Sequence, residues 1–331
     1  VIISRTPVRL SFFGGGTDYR EYFMRKGGAV LGTTIDKYIY ISVNKLSDFF
    51  EYKIRVGYSK AELVNNVEDI VHPSVRETLK FMKMNGNLDI HIFADLPAKT
   101  GLGSSSSFTV GFLNALYALE GKRVSKQQLA EGAIYIEQQL IKENVGCQDQ
   151  VHATYGGLNI IQFDDAGISV RPVVISKEKY DFLNDSLLVF YTGLTRYANE
   201  ILKEQIENTK TCSKDDYLER MCQMVFDAER IISAESPEEM VRQLGELLNE
   251  SWSLKKCLSR QITTSFIDEA YTKAIGAGAY GGKLAGAGGG GFLFFLADKT
   301  RHKSVRAALS DLLEVHFRFE NEGSKIIYLT Y

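Results

Sequence analysis

The 331 residues carry 39 basic against 41 acidic side chains, a net charge of −2, with 44% hydrophobic and 24% charged residues. That balance excludes a disordered chain and gives no general attraction for nucleic acid or anionic lipid. At roughly 150 residues per domain, the length predicts about two domains. The longest apolar run, residues 292–297, is far short of the roughly 20 residues of a membrane span. No signal-like block stands at the N-terminus, and Cys147, Cys212, Cys222 and Cys257 are too scattered for a zinc site or a disulfide framework. A cytoplasmic protein with no nucleic-acid or membrane partner is the expectation. Glycine is in excess, 29 against only 5 prolines, and it clusters at 14–16, 101–103 and 276–291. Clustered glycine marks backbone that turns tightly or approaches a ligand closely.

In chain order, residues 1–13, 29–45 and 52–58 are rich in β-branched and aromatic side chains and predict strands. The first carries Arg9 and ends in Gly14-Gly15-Gly16-Thr17-Asp18-Tyr19. Residues 88–94 alternate apolar and polar side chains, which predicts a half-buried strand. A loop over 95–103 follows, then a helix over about 104–119 whose Phe108, Phe112, Ala115, Leu116 and Leu119 share one face. Ser125 with Gln128 signals a capping box, opening a helix to about Lys142 with Leu129, Ala133, Ile136 and Leu140 as its stripe. Residues 155–163 and 168–175 predict a strand pair around the turn 164–167, and 186–191 a further strand. Helical patterns cover about 196–210, 215–233, 238–258, 264–277 and 299–315, with strands at 291–297 and 325–331. Elements grouped in runs argue an α+β fold, divided at about 172 into a mixed N-terminal part (1–172) and a helix-rich C-terminal part (173–331).

Four segments carry the chemistry. Pro97-Ala98-Lys99-Thr100-Gly101-Leu102-Gly103-Ser104-Ser105-Ser106-Ser107 sits between a strand and a helix. Glycines let the backbone wrap an anion, and the first helical turn leaves amide N–H groups free for phosphate. It is not a Walker A loop, because Ser104 and not lysine follows Gly103. Gly286, Gly288 and Gly291 satisfy G-x-G-x-x-G, but a strand follows where the dinucleotide fingerprint needs a helix. A loop closing over a ligand fits that order better. Glu137 lies beside the apolar stripe of its helix, where an inward carboxylate needs a partner. Asp149 follows in Gly146-Cys147-Gln148-Asp149-Gln150.

Taken in order, these elements resemble the GHMP superfamily of small-molecule kinases. Pro97 to Ser107 is similar to its Pro-x-x-x-Gly-Leu-Gly-Ser-Ser motif, and 286–291 to its C-terminal glycine motif. Pro7-Val8-Arg9 with Gly14 to Tyr19 resembles the start of its sugar kinases, and Gly146 to Gln150 their Asp-Gln segment. Within the superfamily the wording at 146–150, 191–196 and 283–292 is most similar to bacterial D-glycero-D-manno-heptose 7-phosphate kinases. Where galactokinases carry Glu-His before Thr-Asp-Tyr, this chain has Gly15-Gly16, so two side chains of a galactose site are missing.

The resemblance implies a two-domain fold, mixed α/β in the N-terminal half, with a ferredoxin-like sheet in the C-terminal one. It implies ATP and Mg²⁺, with a sugar or sugar phosphate as acceptor, and it is compatible with a homodimer. It places ATP phosphates on Pro97, Lys99, Thr100, Gly101, Leu102, Gly103 and Ser104 to Ser107, with Ser105 and Glu137 on Mg²⁺. Asp149 would take the proton of the attacking anomeric hydroxyl, with Arg9 steadying the charge on the moving phosphoryl group. Thr17, Asp18, Gly15, Gly16, Gly288, Gly289 and Arg196 would hold the acceptor. Arg196, Arg20, Arg25 and Lys283 are the candidates for a second phosphate.

Overall fold

The computed structural model describes residues 1–98, 100–194, 198–259 and 261–330. Two sheets organise it. The larger has nine strands in the order β13-β1-β2-β5-β3-β4, with β6 and β12 also on β2 and β7 on β6. Its strands are β1 (Ile2–Phe13), β2 (Gly28–Lys45), β3 (Ile54–Gly57), β4 (Ala61–Val64), β5 (Leu88–Ala94), β6 (Asn159–Asp164), β7 (Gly167–Pro172), β12 (Phe319–Glu320) and β13 (Lys325–Leu329). The smaller is antiparallel, in the order β11-β8-β10-β9, from β8 (Leu187–Tyr191), β9 (Ala279–Leu284), β10 (Phe292–Ala297) and β11 (Leu313–Glu314).

The helices are α1 (Arg20–Lys26), α2 (Pro73–Phe81), α3 (Ser104–Leu119), α4 (Lys126–Tyr135), α5 (Gln148–Tyr155), α6 (Lys177–Asp185), α7 (Ala198–Lys210), α8 (Asp215–Ala234), α9 (Pro237–Lys256), α10 (Ser265–Gly276) and α11 (His302–Ala308). Among the described residues no helix is long and apolar enough to cross a membrane.

Period-2 patterning decides where β2 looks. Ile39, Ile41 and Val43 are buried while Tyr38, Tyr40 and Ser42 are only partly covered. Further upstream the strand is buried on both faces. Ala29 and Leu31 share a core with Met224, Val225 and Ala228 of α8, whereas Val30 packs with Val151 of α5 and Phe163 of β6. The helix α3 is apolar nearly all round: Phe108, Phe112 and Leu116 join the sheet core, and Val110 and Leu113 meet Leu129, Ala133 and Ile136. A helix wrapped this way is a fixed post, and its N-terminus carries the Gly101–Ser104 turn.

The expected strands and helices form, with additions and two corrections. The sequence gives no sign of the short elements α1, α2, α5, α6, β4, β9 and β12. The pattern over 299–315 is not one helix: after a 3₁₀ turn and α11 the chain leaves the helical path, and Leu313 and Glu314 pair with Tyr191 and Phe190. The strand over 325–331 is described to Leu329, and with β12 it crosses back to the first sheet, pairing with β1 and β2. The last strands therefore belong with the N-terminal half.

Candidate active site

Arg9 on β1 and Asp149 in the first turn of α5 form a two-pronged ion pair. Nε donates to Oδ1 and Nη2 to Oδ2, both at 2.9 Å. Planar guanidinium against planar carboxylate fixes both side chains. The Arg9 Nη1 also donates to Gly101 O, and the Arg9 amide to Leu102 O at 2.9 Å. The pair is thus built onto the first glycine turn. Arg9 is only 4% exposed, whereas the Asp149 side chain keeps 26% of its surface open. The carboxylate is held from behind and reachable from the front.

The two glycine loops touch backbone to backbone. A Cβ on Gly101 would lie 2.4 Å from Ala285 O, one on Gly286 would lie 2.4 Å from Gly101 Cα, and one on Gly291 would lie 2.2 Å from Thr100 O. Every side chain but hydrogen is excluded at that seam. The second loop joins β9 to β10, so a strand both precedes and follows it.

Pro97, Thr100, Gly101, Leu102 and Gly103 lead into α3, and Lys99 lies outside the described residues. Gly103 is the helix N-cap with no side-chain cap, which leaves the first-turn amides to a ligand. The serines divide. Ser107 Oγ donates to Pro7 O and Ser106 Oγ to Glu137 Oε2, both at 2.8 Å, while Ser104 is half-buried and Ser105 exposed. Ser106, and not Ser105, is therefore the serine that meets Glu137. Consecutive residues on a helix point about 100° apart, so only one of the pair can face that carboxylate.

Glu137 is fully buried, at the π-helical turn Ile136–Ile141 that follows α4. Gln150 Nε2 also donates to its Oε2, and Oε1 has no partner among the described residues. Burial pushes this carboxyl up to about 7, opposed by the hydroxyls of Thr109 and Ser106 and the Gln150 amide. An unpartnered buried carboxylate oxygen beside a serine suits a hard cation, which takes one or two carboxylates and leaves its other positions to water and phosphate. Among the described residues there is no three-carboxylate or histidine–cysteine cluster.

The remaining expected site residues behave differently from a displayed binding surface. Thr17 Oγ1 lies 2.8 Å from Gly14 O and 2.9 Å from Ala29 O, fully buried. Asp18 Oδ1 accepts from the Gly16 amide and Oδ2 from the Gln148 amide, at 3.0 and 3.2 Å. Burial first, then the charge of Asp149, raises its pKa. Asp18 is a staple between the glycine turn at 14–16 and the turn that presents Asp149. Gly289 donates its amide to Ile262 O at 2.8 Å and is buried, and a Cβ on Gly288 would lie 2.8 Å from Ile262 Cα, so this stretch leans on the segment after α9. Arg196 lies outside the described residues. Of the basic candidates, Arg25 is held by Asp215 and Thr209 O, Lys283 is buried, and Arg20 is exposed at the start of α1.

Two groups, Lys255 and His152, escaped the sequence reading, and Lys283 takes a buried place instead of the exposed one a phosphate site would need. Lys255, 8% exposed, donates to Leu284 O at 3.1 Å and to Gly286 O, holding the base of the second loop; burial and Arg9 lower its pKa to about 7. Lys283 donates to Phe12 O at 2.9 Å, and its pKa is lowered by burial, Lys255 and Arg9. Two lysines and an arginine thus surround the loop junction. The signal for Lys255 was available: it continues the stripe Leu244, Leu248, Ser251 and Trp252 on α9, where a charge on an apolar face wants an explanation. His152, one turn beyond Asp149, is buried with both ring nitrogens unpartnered among the described residues, and burial and Arg9 bring its pKa to about 3.

Comparison with known proteins adds kinship to this geometry. Residues 65–157 match the GHMP kinases N terminal domain and residues 237–315 the GHMP kinases C terminal region. The chain is 31% identical to the D-glycero-alpha-D-manno-heptose 7-phosphate kinase of Campylobacter jejuni, over 98% of each. It is 27% identical to the galactokinase of Pyrococcus furiosus, over 93% of this chain and 92% of that one. The crystal structure of a D-glycero-D-manno-heptose 1-phosphate kinase from Bacteriodes thetaiotaomicron superposes with a TM-score of 0.78 at 23% identity, covering 100% of both chains. Glycine loops, ion pair and two-domain fold converge on one lineage: the chain belongs to the GHMP kinases, and it is a phosphotransferase with an alcohol group as acceptor.

Proposed function

We propose that this kinase phosphorylates the anomeric hydroxyl of a sugar, and specifically converts D-glycero-D-manno-heptose 7-phosphate to the 1,7-bisphosphate, a step toward nucleotide-activated heptose for cell-surface polysaccharide. The observation that carries the reading is the Arg9–Asp149 pair, seated on Gly101 O at the junction of the two loops. Phosphoryl transfer asks a protein for position and charge. The first-turn amides of α3 and the hydroxyls of half-buried Ser104 and exposed Ser105 receive the nucleotide phosphates. Glu137 and Ser106 would hold Mg²⁺, which neutralises phosphate charge when bound.

The acceptor hydroxyl lies against Asp149, whose partly exposed carboxylate takes its proton as the sugar oxygen bonds to the γ-phosphorus and the bond to ADP breaks. Arg9 orients that carboxylate and faces the developing charge. Similarity to the heptose 7-phosphate kinase along the whole chain supports the substrate. Bare Gly15-Gly16 argues against galactose. The intact Arg9, Asp149 and Glu137 argue against a sugar sensor without catalysis.

ADP release from ATP and Mg²⁺ with the heptose 7-phosphate, free heptose, fucose, galactose and a uronic acid tests the reading. Turnover with the heptose 7-phosphate at least tenfold above the others is expected. Preference for a free hexose would replace the substrate, and no turnover with any would remove the sugar reading.

A further inference from the structure

Gly14, Gly15 and Gly16 are not equivalent. Gly14 (φ +82°) and Gly16 (φ +103°) lie in the left-handed region, and a Cβ on them would sit 1.9 Å from Ala29 O and 2.7 Å from Gln205 Nε2. Conformation and packing both require glycine there. Gly15 does not share the left-handed backbone. The nearest atoms to a Cβ built on it are Gln148 Nε2 at 3.7 Å and Ser11 Oγ at 3.9 Å, ordinary contact distances. Nothing in the fold asks for glycine at 15. What glycine leaves there is room.

The two side chains bordering that room are short of partners. Ser11 Oγ and Gln148 Oε1 are buried and have no hydrogen bond among the described residues. Buried polar atoms left unpaired are destabilising, and in native proteins they call for a ligand or water. Their placement repeats that of the reactive pair. Ser11 is two residues beyond Arg9 on β1, and so on the same face, and Gln148 immediately precedes Asp149 on α5. Arg9 and Asp149 come within 3.2 Å of a Cβ built on Gly103, as Ser11 and Gln148 border Gly15.

The structure assigns to this space, walled by Ser11 Oγ and the Gln148 carboxamide over bare Gly15, a non-reacting hydroxyl of the acceptor, and hence selection for acceptors that carry it. A sugar hydroxyl donates one hydrogen bond and accepts others, the carboxamide offers both functions, and a serine hydroxyl completes the set. A site built to bond a hydroxyl rejects an analogue lacking it far more strongly than an apolar pocket does. This assignment rests on the sugar-kinase reading.

The test measures kcat and KM for D-glycero-D-manno-heptose 7-phosphate and its monodeoxy analogues in wild type, Gln148→Ala, Ser11→Ala and Gly15→Val, with the KM for ATP and Tm alongside. One analogue is expected to be poor for the wild type, and Gln148→Ala to lose about 100-fold in kcat/KM on the parent sugar but under about threefold on that analogue. Ser11→Ala, which removes one oxygen, follows the same pattern with a smaller loss. Gly15→Val keeps the wild-type Tm and the KM for ATP while raising the KM for the sugar more than about tenfold. Equal losses on parent and every analogue, or a wild-type sugar KM in Gly15→Val, would overturn the assignment. Absence of turnover in the wild type itself would instead overturn the sugar-kinase reading beneath it.

Discussion

Arg9 meets Asp149 with two nitrogens and Gly101 O with a third, so the carboxylate cannot turn away from the loop junction. Asp149→Asn keeps most of that shape and loses the base. Turnover should fall by about 10³-fold with nucleotide affinity retained, measured by ADP release and ATP titration. At Glu137 the geometry separates two neighbouring serines. Glu137→Gln and Ser106→Ala should each raise the Mg²⁺ needed for half-maximal rate about tenfold, and of the serines Ser106→Ala should have the larger effect, read from magnesium titrations. The motif could not distinguish them, since Gly-Leu-Gly followed by four serines fixes where a helix starts but not which hydroxyl turns inward. Asp149, Arg9 and Glu137 are picked out by resemblance to an ordered set of motifs, and the structure brings Arg9 and Asp149 into one ion pair and buries Glu137 against Ser106 and Gln150. His152 was hidden because it reads as an ordinary helix residue until its burial is known, whereas Lys255 stands on an apolar stripe that already asked for an explanation.

Between elements, the seam of Gly101, Gly286 and Gly291 fixes how closely the hairpin β9–β10 approaches the head of α3. Gly101 has φ +83°, and an alanine there would combine a left-handed backbone with a Cβ 2.4 Å from Ala285 O. Gly101→Ala should therefore lower Tm by several degrees and turnover together, measured by thermal melts and ADP release. Gly15→Val separates the two.

Elements with a strong local signal were readable. The span 104–119 of α3 and the strand 88–94 follow from periodicity, and both halves of the Ser125–Gln128 capping box form. Several of the failures share a cause. The helices α1, α5 and α11 have seven or eight residues, too few to show a period, and are held by packing instead. A π-helical turn also has no sequence signature, although the one at Glu137 turns that carboxyl onto Ser106 and Gln150.

For the molecule as a whole, burial without a counter-charge writes itself into pH dependence. Lys255 has a folded pKa near 7, below that of an exposed lysine, so the unfolded chain binds one more proton between about 7 and 10.4. Stability then rises with pH across that window, and the penalty is fully present below it. The Tm difference between wild type and Lys255→Met should accordingly move in favour of the wild type from pH 7 to 10. A flat difference would mean that the lysine is solvated. His152, with a pKa near 3, acts in the same direction lower down: its contribution is lost as pH falls from about 6.5 toward 3.

The strands β12 and β13 carry one more consequence. They pair with β2 and β1, more than 280 residues away in sequence, so the sheet that bears Arg9 has an open border until residues 319–329 have left the ribosome. A nascent or clipped chain lacking β13 would offer the Ile2–Arg5 border to strangers.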